Sequence, residues 1–229
     1  MRYTGWILPA VVMATLAGCG KSSGAASSLT YQPLDWGPRS TQPTAKPVTQ
    51  ASPTTPQVRT ATPPASSSWE PRNPKPWRYI VIHHSATASG NAATFHKAHL
   101  ANGWDGLGYH FVIGNGTSSG DGVVEVGYRW RDQKTGAHTG KTPNNAYNEY
   151  GIGICLVGNF NKNMPSQAQL ASLNRLVCYL QDQYNIPPSR VVGHREAPNA
   201  ATECPGNQLN SYLRHSFRPY LASRMGQTR

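Results

Sequence analysis

Acidic side chains are scarce in this chain of 229 residues: 10 Asp and Glu stand against 21 Lys and Arg, for a net charge of +11. The balance points to an anionic partner surface without saying which anion. Clustered basic charge is also missing. Residues 76–229 carry 14 Lys and Arg against 8 Asp and Glu, and no basic run exceeds Arg129-Trp130-Arg131. The basic stripe of a nucleic-acid binder is therefore absent, and nucleic acid is not an expected partner. Cysteine is sparse as well. The four, at positions 19, 155, 178 and 204, lack the dense spacing of a disulfide scaffold, so each is read on its own. No internal repeat is present, which removes solenoid architectures.

Long apolar runs are lacking too. The apolar stretch Trp6 to Ala17, behind the basic Arg2, is shorter than the roughly 20 residues of a spanning helix and has the form of a secretory signal. It closes on Leu16-Ala17-Gly18-Cys19, which resembles the bacterial lipobox, in which the cysteine is lipidated and becomes the mature N-terminus. On that reading residues 1–19 are a lipoprotein signal peptide and Cys19 is a membrane anchor. Gly20-Lys21 lacks the aspartate that often retains lipoproteins in the inner membrane. The expected location is the outer membrane facing the periplasm, or otherwise the outer face of the plasma membrane. From Gly20 to Pro76, 28 of 57 residues are Pro, Ser or Thr. Such a segment buries too little apolar surface to offset its ordering entropy, and reads as a disordered tether.

The folded domain is expected at 77–223, with 224–229 as a tail. Tyr79 to His83 reads as a buried strand and Asn91 to Ala101 as a short helix stopped by Asn102-Gly103. Tyr109 to Ile113 and Val123 to Val126 read as a hairpin, and Ile152 to Val157 as a central strand. Ser166 can cap a helix running to Tyr184, on which Leu170, Leu173, Leu176, Val177, Leu180 and Tyr184 recur at the spacing of one buried face. Val191-Val192 is a last short strand, and Asn207 to Ser223 a closing helix. Intermixed strands and helices of this total length predict a single α/β domain, expected to be monomeric.

Two strong metal ligands, His194 and Cys204, are separated by nine residues of loop composition. A catalytic zinc takes three protein ligands and leaves a fourth position for water. The third ligand is sought in the apolar run that ends in His83-His84. Successive strand residues face opposite ways, so one of the two histidines can point at the ion, and spacing does not say which. Two imidazoles and a thiolate form an acceptable zinc set. A closed structural zinc site would need a fourth ligand, for which no residue has comparable context.

Val-Ile-His-His-Ser-Ala-Thr at 81–87, Gly-Tyr-His-Phe at 108–111, Gly-Ala-His-Thr at 136–139, Gly-Ile-Gly-Ile-Cys-Leu-Val-Gly-Asn-Phe at 151–160, and Gly-His-Arg-Glu with Ala-Thr-Glu-Cys-Pro-Gly at 193–206 resemble, in order, the zinc N-acetylmuramoyl-L-alanine amidases. This group includes phage lysozyme amidases and animal peptidoglycan recognition proteins. The resemblance covers about residues 77–222 and implies a central mixed β-sheet flanked by helices. It also implies a zinc ion in a peptidoglycan-binding groove and hydrolysis of the amide between the muramic acid lactyl group and L-alanine. It selects His83 as ligand beside His194 and Cys204, leaving His84 as packing or support. Tyr109 matches the tyrosine that holds or relays a proton. Thr202 stands where phage members have lysine and catalytically active recognition proteins have threonine, a carbonyl donor without charge. His138 resembles a groove residue that contacts substrate. Cys155 stands where some bacterial members have a glutamate base, and is expected to be an uncharged core residue. Either a Cys155–Cys178 bridge or two free thiols is compatible with the sequence, since Cα distances cannot be read from it. The alternative within the same fold is a binding module that recognises peptidoglycan without cutting it. In this family loss of the cysteine ligand accompanies loss of catalysis, and Cys204 is present.

Overall fold

The apolar run ending in two histidines, Tyr79–His84, forms strand β1, paired on both sides within a five-stranded sheet. The computed structural model describes residues 69–140 and 142–227, all within the unit Pro56–Arg229. The signal peptide, Cys19 and the tether as far as residue 68 lie outside the described residues.

After β1 come helix α1 (Ala92–Ala101), strands β2 (Phe111–Ile113) and β3 (Val124–Val126), short helices α2 (Tyr128–Arg131) and α3 (Ala146–Glu149), and strand β4 (Gly151–Leu156). Helix α4 (Gln167–Tyr184), strand β5 (Val191–Gly193) and helices α5 (Asn207–Tyr212) and α6 (Arg218–Gln227) complete the domain. The sheet order is β3-β2-β4-β1-β5. The β2–β3 hairpin is antiparallel, whereas β2 with β4, β4 with β1, and β1 with β5 are parallel, so the sheet is mixed as expected.

Strand alternation divides the sheet between core and site. One face turns Ile80, Ile82, Phe111, Ile113, Ile152 and Ile154 into the main core. There α4 lays down Leu173, Leu176, Val177 and Leu180, and the C-terminal helices add Leu209, Leu213, Phe217 and Leu221. Each such fully buried side chain contributes about 1.5–3 kcal/mol of transfer free energy. The first turn of α4 is closed by a reciprocal cap: Ser166 Oγ accepts from Gln169 N at 3.0 Å, and Gln169 Oε1 accepts from Ser166 N at 3.2 Å. The other face carries a small cluster of Leu107, Val112, Cys155 and Val157, with Phe95 and Tyr109 packed against it. These four are 2% exposed or less, although α1, which carries Phe95, buries none of its own residues.

Three expectations change. Packed chain begins by Trp69, inside the stretch read as tether. Trp69 is 4% exposed, meets Tyr179 edge-on at 5.5 Å, and its carbonyl accepts from Trp130 Nε1 at 2.7 Å. A single docked aromatic leaves no periodic signal, which is why composition hid it. At the other end, the closing helix passes through a π-helical turn at Leu213–Phe217 and continues to Gln227, past the expected tail boundary at 224. Cys155 and Cys178 are both free thiols. The first lies in the cluster on the site face, while the second packs against the main core on the opposite side of the sheet, so no bridge joins them.

Candidate metal centre

β1 and β5 run parallel with Ile82 opposite Gly193, so both strands end at the same level and each delivers a histidine there. The His83 and His194 rings lie 4.6 Å apart between centroids. Gly193 leaves room for the loop that carries Cys204, since a Cβ there would come within 2.7 Å of Asn210 Oδ1 and 2.8 Å of Pro205 Cδ. The loop after β5 then folds back, bringing Cys204 Sγ to 3.5 Å from His83 Nδ1. The possible ligand atoms of His83, His194 and Cys204 all lie within 4.8 Å of one another. Among the described residues no fourth His, Cys or carboxylate joins this cluster.

The supports of the three are local. Glu196 Oε2 accepts from Gly193 N at 2.8 Å, and its carboxylate takes both Nη atoms of Arg218, at 2.9 and 2.8 Å, tying the His194 turn to the C-terminal helices. Arg195 donates to Asn207 Oδ1 at 2.7 Å and to the Glu203 carbonyl, bracing the loop that carries Cys204. His84 turns away from the cluster: its Nδ1 accepts from Phe160 N at 3.2 Å, while its backbone N–H donates to Cys204 Sγ at 3.4 Å. That matches its expected supporting place.

Electrostatics prepare the cluster for a cation. Burial, followed by neighbouring histidines, pushes His83 well below its ordinary value, and burial lowers His194 to about 4, so both imidazoles are neutral near pH 7. Burial pushes the Cys204 thiol up to about 12, against the opposing pull of the His84 N–H and Arg195. Without a cation the thiol keeps its proton; a coordinated divalent ion removes it. Two neutral imidazoles and an ionisable thiol, close together with one coordination position left over, fit zinc.

The cluster opens into a cavity of about 580 Å³ whose wall includes Tyr109, Thr202, His99, Trp104 and Thr139. The Tyr109 ring stands 5.2 Å from that of His83. Burial, with Cys155 and Cys204 nearby, raises its phenol well above 10, so it holds its proton. Thr202 Oγ1 accepts from Cys204 N at 3.1 Å, which leaves its own hydroxyl proton available to the cavity. Cys155, opposite His83 in the β1–β4 register, is fully buried and its thiol is held protonated by burial, in keeping with an uncharged residue.

His138 borders the cavity, but not as a free groove residue. It is 7% exposed and both ring nitrogens are committed inside the protein: Nδ1 lies 3.1 Å from His83 Nε2, and Nε2 lies 3.2 Å from the Gly151 carbonyl. Asn148 fixes its loop, Oδ1 accepting from His138 N and Thr139 N at 2.9 Å each. Sequence reasoning missed Asn148, His99 and Trp104. His99 packs on Trp104 at 4.8 Å, and Trp104 is half exposed. The available signal was α1 itself, which has no apolar periodicity and so no core to receive neighbouring aromatics.

The family model described as N-acetylmuramoyl-L-alanine amidase matches residues 73–207. An N-acetylmuramoyl-L-alanine amidase of Sus scrofa is 31% identical over 159 residues, 62% of this chain and 24% of that protein. Peptidoglycan-recognition protein LB of Drosophila melanogaster is 31% identical over 172 residues, 66% of this chain and 67% of the relative. The chain thus spans about a quarter of the pig amidase it matches. Among solved structures, an N-acetylmuramoyl-L-alanine amidase from Clostridium intestinale superposes with a TM-score of 0.51 at 28% identity, covering 66% of this chain and 86% of the other. A bumblebee peptidoglycan recognition protein gives 0.51 at 30% identity over 62% and 83%. The match over residues 73–207 spans more than half of the chain and takes in His83, His194 and Cys204, and the chain belongs to the N-acetylmuramoyl-L-alanine amidase family.

Proposed function

We propose that the chain is a zinc-dependent peptidoglycan hydrolase that cleaves the amide between the lactyl group of N-acetylmuramic acid and L-alanine of the stem peptide. One observation carries the reading: His83, His194 and Cys204 gather their ligand atoms within 4.8 Å at the base of an open cavity, with no fourth ligand among the described residues. A zinc ion held by these three would polarise a water molecule as nucleophile.

The chain's own groups supply the rest. Tyr109 Oη, kept protonated by burial, holds a proton beside the ligand set and can pass it to the leaving amine. Thr202 Oγ1 donates toward the carbonyl oxygen as charge develops there, its acceptor side being occupied by the Cys204 N–H. The cavity wall among the described residues holds no Lys, Arg, Asp or Glu, and its hydroxyls are those of Tyr109, Thr202 and Thr139. Export and lipid anchoring through Cys19 belong to the same proposal, supported by Leu16-Ala17-Gly18-Cys19 at the end of a short apolar segment.

The test is digestion of purified peptidoglycan followed by mass spectrometry. Free stem peptides that begin at L-alanine, and that disappear with chelator and in Cys204→Ala, are the expected products. Altered sugars with the peptide still attached would overturn the proposal, and undigested peptidoglycan bound tightly by a zinc-loaded protein would favour the binding module.

A further inference from the structure

From the hydrogen-bond order in the buried histidine pair, we infer that His138 is a positioning residue that sets the tautomer and ring orientation of His83. The inference rests on the proposed zinc site but concerns a residue outside the ligand set.

The argument starts at the far end of the pair. The Gly151 carbonyl can only accept, so His138 Nε2, 3.2 Å away, carries the hydrogen. The hydrogen-bond partners of the His138 ring are the Gly151 carbonyl and the His83 ring, with no carboxylate at either nitrogen. A cationic imidazole would be buried there without a counter-charge. His138 Nδ1 is therefore a bare acceptor, and the group that donates to it across 3.1 Å is His83 Nε2–H. That leaves His83 Nδ1 without a hydrogen, and Nδ1 is the atom that faces Cys204 Sγ at 3.5 Å. The direction of a single carbonyl thus propagates through two imidazoles to present a lone pair at the metal position.

The surroundings are built to hold the relay. A Cβ placed on Gly136 or Gly153 would collide with Cδ2 of the His138 ring. Gly153 lies in β4 and Gly136 two residues before His138, so two separate glycines, one on a strand and one in a loop, clear a slot for the same ring. Asn148 pins the backbone of residues 138 and 139 from behind. These contacts give the glycine of Gly-Ala-His-Thr and the second glycine of Gly-Ile-Gly-Ile a common physical reason, which strand geometry alone does not.

The test uses three variants of the full chain and one measurement on the unmutated protein. His138→Asn places an oxygen acceptor where Nδ1 stands; His138→Gln reaches the Gly151 carbonyl but offers His83 no acceptor; His138→Leu fills the slot with neither. Zinc affinity, measured by competition with a chromogenic chelator, should stay within about threefold of wild type for Asn and fall by about 10–100-fold for Gln and Leu. Equal affinities in all four proteins, or an Asn variant that falls with the Gln variant, would overturn the inference. Should the variants not fold, two-bond nitrogen–proton NMR correlations of the metal-free wild type decide it. His83 protonated on Nε2 is the expected state, and protonation on Nδ1 refutes the relay. A wild type that binds no zinc would instead remove the proposed hydrolase, and the tautomer measurement, made without metal, separates the two failures.

Discussion

His110 should make the domain acid-sensitive in a way that one substitution removes. Its ring is fully buried between Trp77, edge-on at 4.7 Å, and Trp130 at 6.4 Å. Nδ1 accepts from Gly153 N at 2.9 Å, and Nε2–H donates to the Lys134 carbonyl at 3.0 Å. A second proton would land on Nδ1, facing another donor. Burial lowers the group from 6.5 to about 3, with Arg129 and Lys75 adding to the effect and the Lys134 carbonyl opposing it. The folded value lies below the unfolded one, so the stabilisation is complete above pH 6.5 and is lost as pH falls toward 3. At pH 4.5, two units below the unfolded value, the loss is about 3 kcal/mol from this one group. His110→Asn keeps an acceptor for the Gly153 N–H but cannot titrate. It forfeits the Lys134 bond and ring packing, for about 1–3 kcal/mol at pH 8. Urea unfolding of both metal-free proteins from pH 8 to 4.5 is the assay. Wild type should lose about 3 kcal/mol more than the variant over that range, so that the two curves converge or cross on acidification. The contribution of His83 is common to both and cancels, and that of His138 is set first by burial, which the substitution leaves in place. Curves that stay parallel, within about 1 kcal/mol, would show that His110 charges inside the folded state and refute the reasoning.

Tyr109→Phe should lower turnover by about 10²-fold or more with zinc content unchanged, read from initial rates on peptidoglycan and metal analysis. Arg218→Leu removes the bidentate partner of Glu196, which holds the Gly193 N–H beside His194 and keeps only a longer pair with Arg214; urea unfolding should show a loss of about 1–3 kcal/mol, and chelator competition a weaker zinc site. Trp69→Ala should cost about 3 kcal/mol in the same unfolding assay, a value near zero meaning that the segment before residue 73 is not part of the fold. Cys19→Ser should move the protein from the membrane fraction to the soluble one on cell fractionation; continued sedimentation with membranes would count against the lipid anchor.

The parts legible in the sequence were those written as periodicity or as ligand chemistry. The Leu170 to Tyr184 spacing gave α4 with its cap, and the apolar runs ending at His83 and at Gly193 gave the two strands that deliver the histidines. Burial on both faces of β4 was legible because its residues read as one apolar run, and all six are buried. What was not legible depended on single contacts between distant segments. Trp69 reaches Tyr179 and Trp130 without any repeat to announce it. The π-helical turn at Leu213–Phe217 interrupts a helix whose apolar positions look continuous. His138, read as a groove residue, does border the cavity, but its motif carries no mark of direction; the Gly151 carbonyl and the His83 ring show that its nitrogens face inward.

The division of the sheet explains why motif and mechanism coincide here. A strand buried on both faces would ordinarily carry large apolar residues throughout, yet the positions of β4 that flank the site are Gly153 and Cys155, both small. Gly153 yields space to His138 and its N–H to His110; Cys155 sits opposite His83 and beside Tyr109. On the other side of the same strand Ile152 and Ile154 remain in the main core. The core face therefore fixes the height and tilt of β4 and β1 through ordinary packing, and the small residues let polar rings approach the opposite face. With no permanently charged side chain on the described cavity wall, orientation of neutral imidazoles and hydroxyls is the protein's main contribution there. A rigid strand with two small positions supplies that orientation more tightly than a loop could.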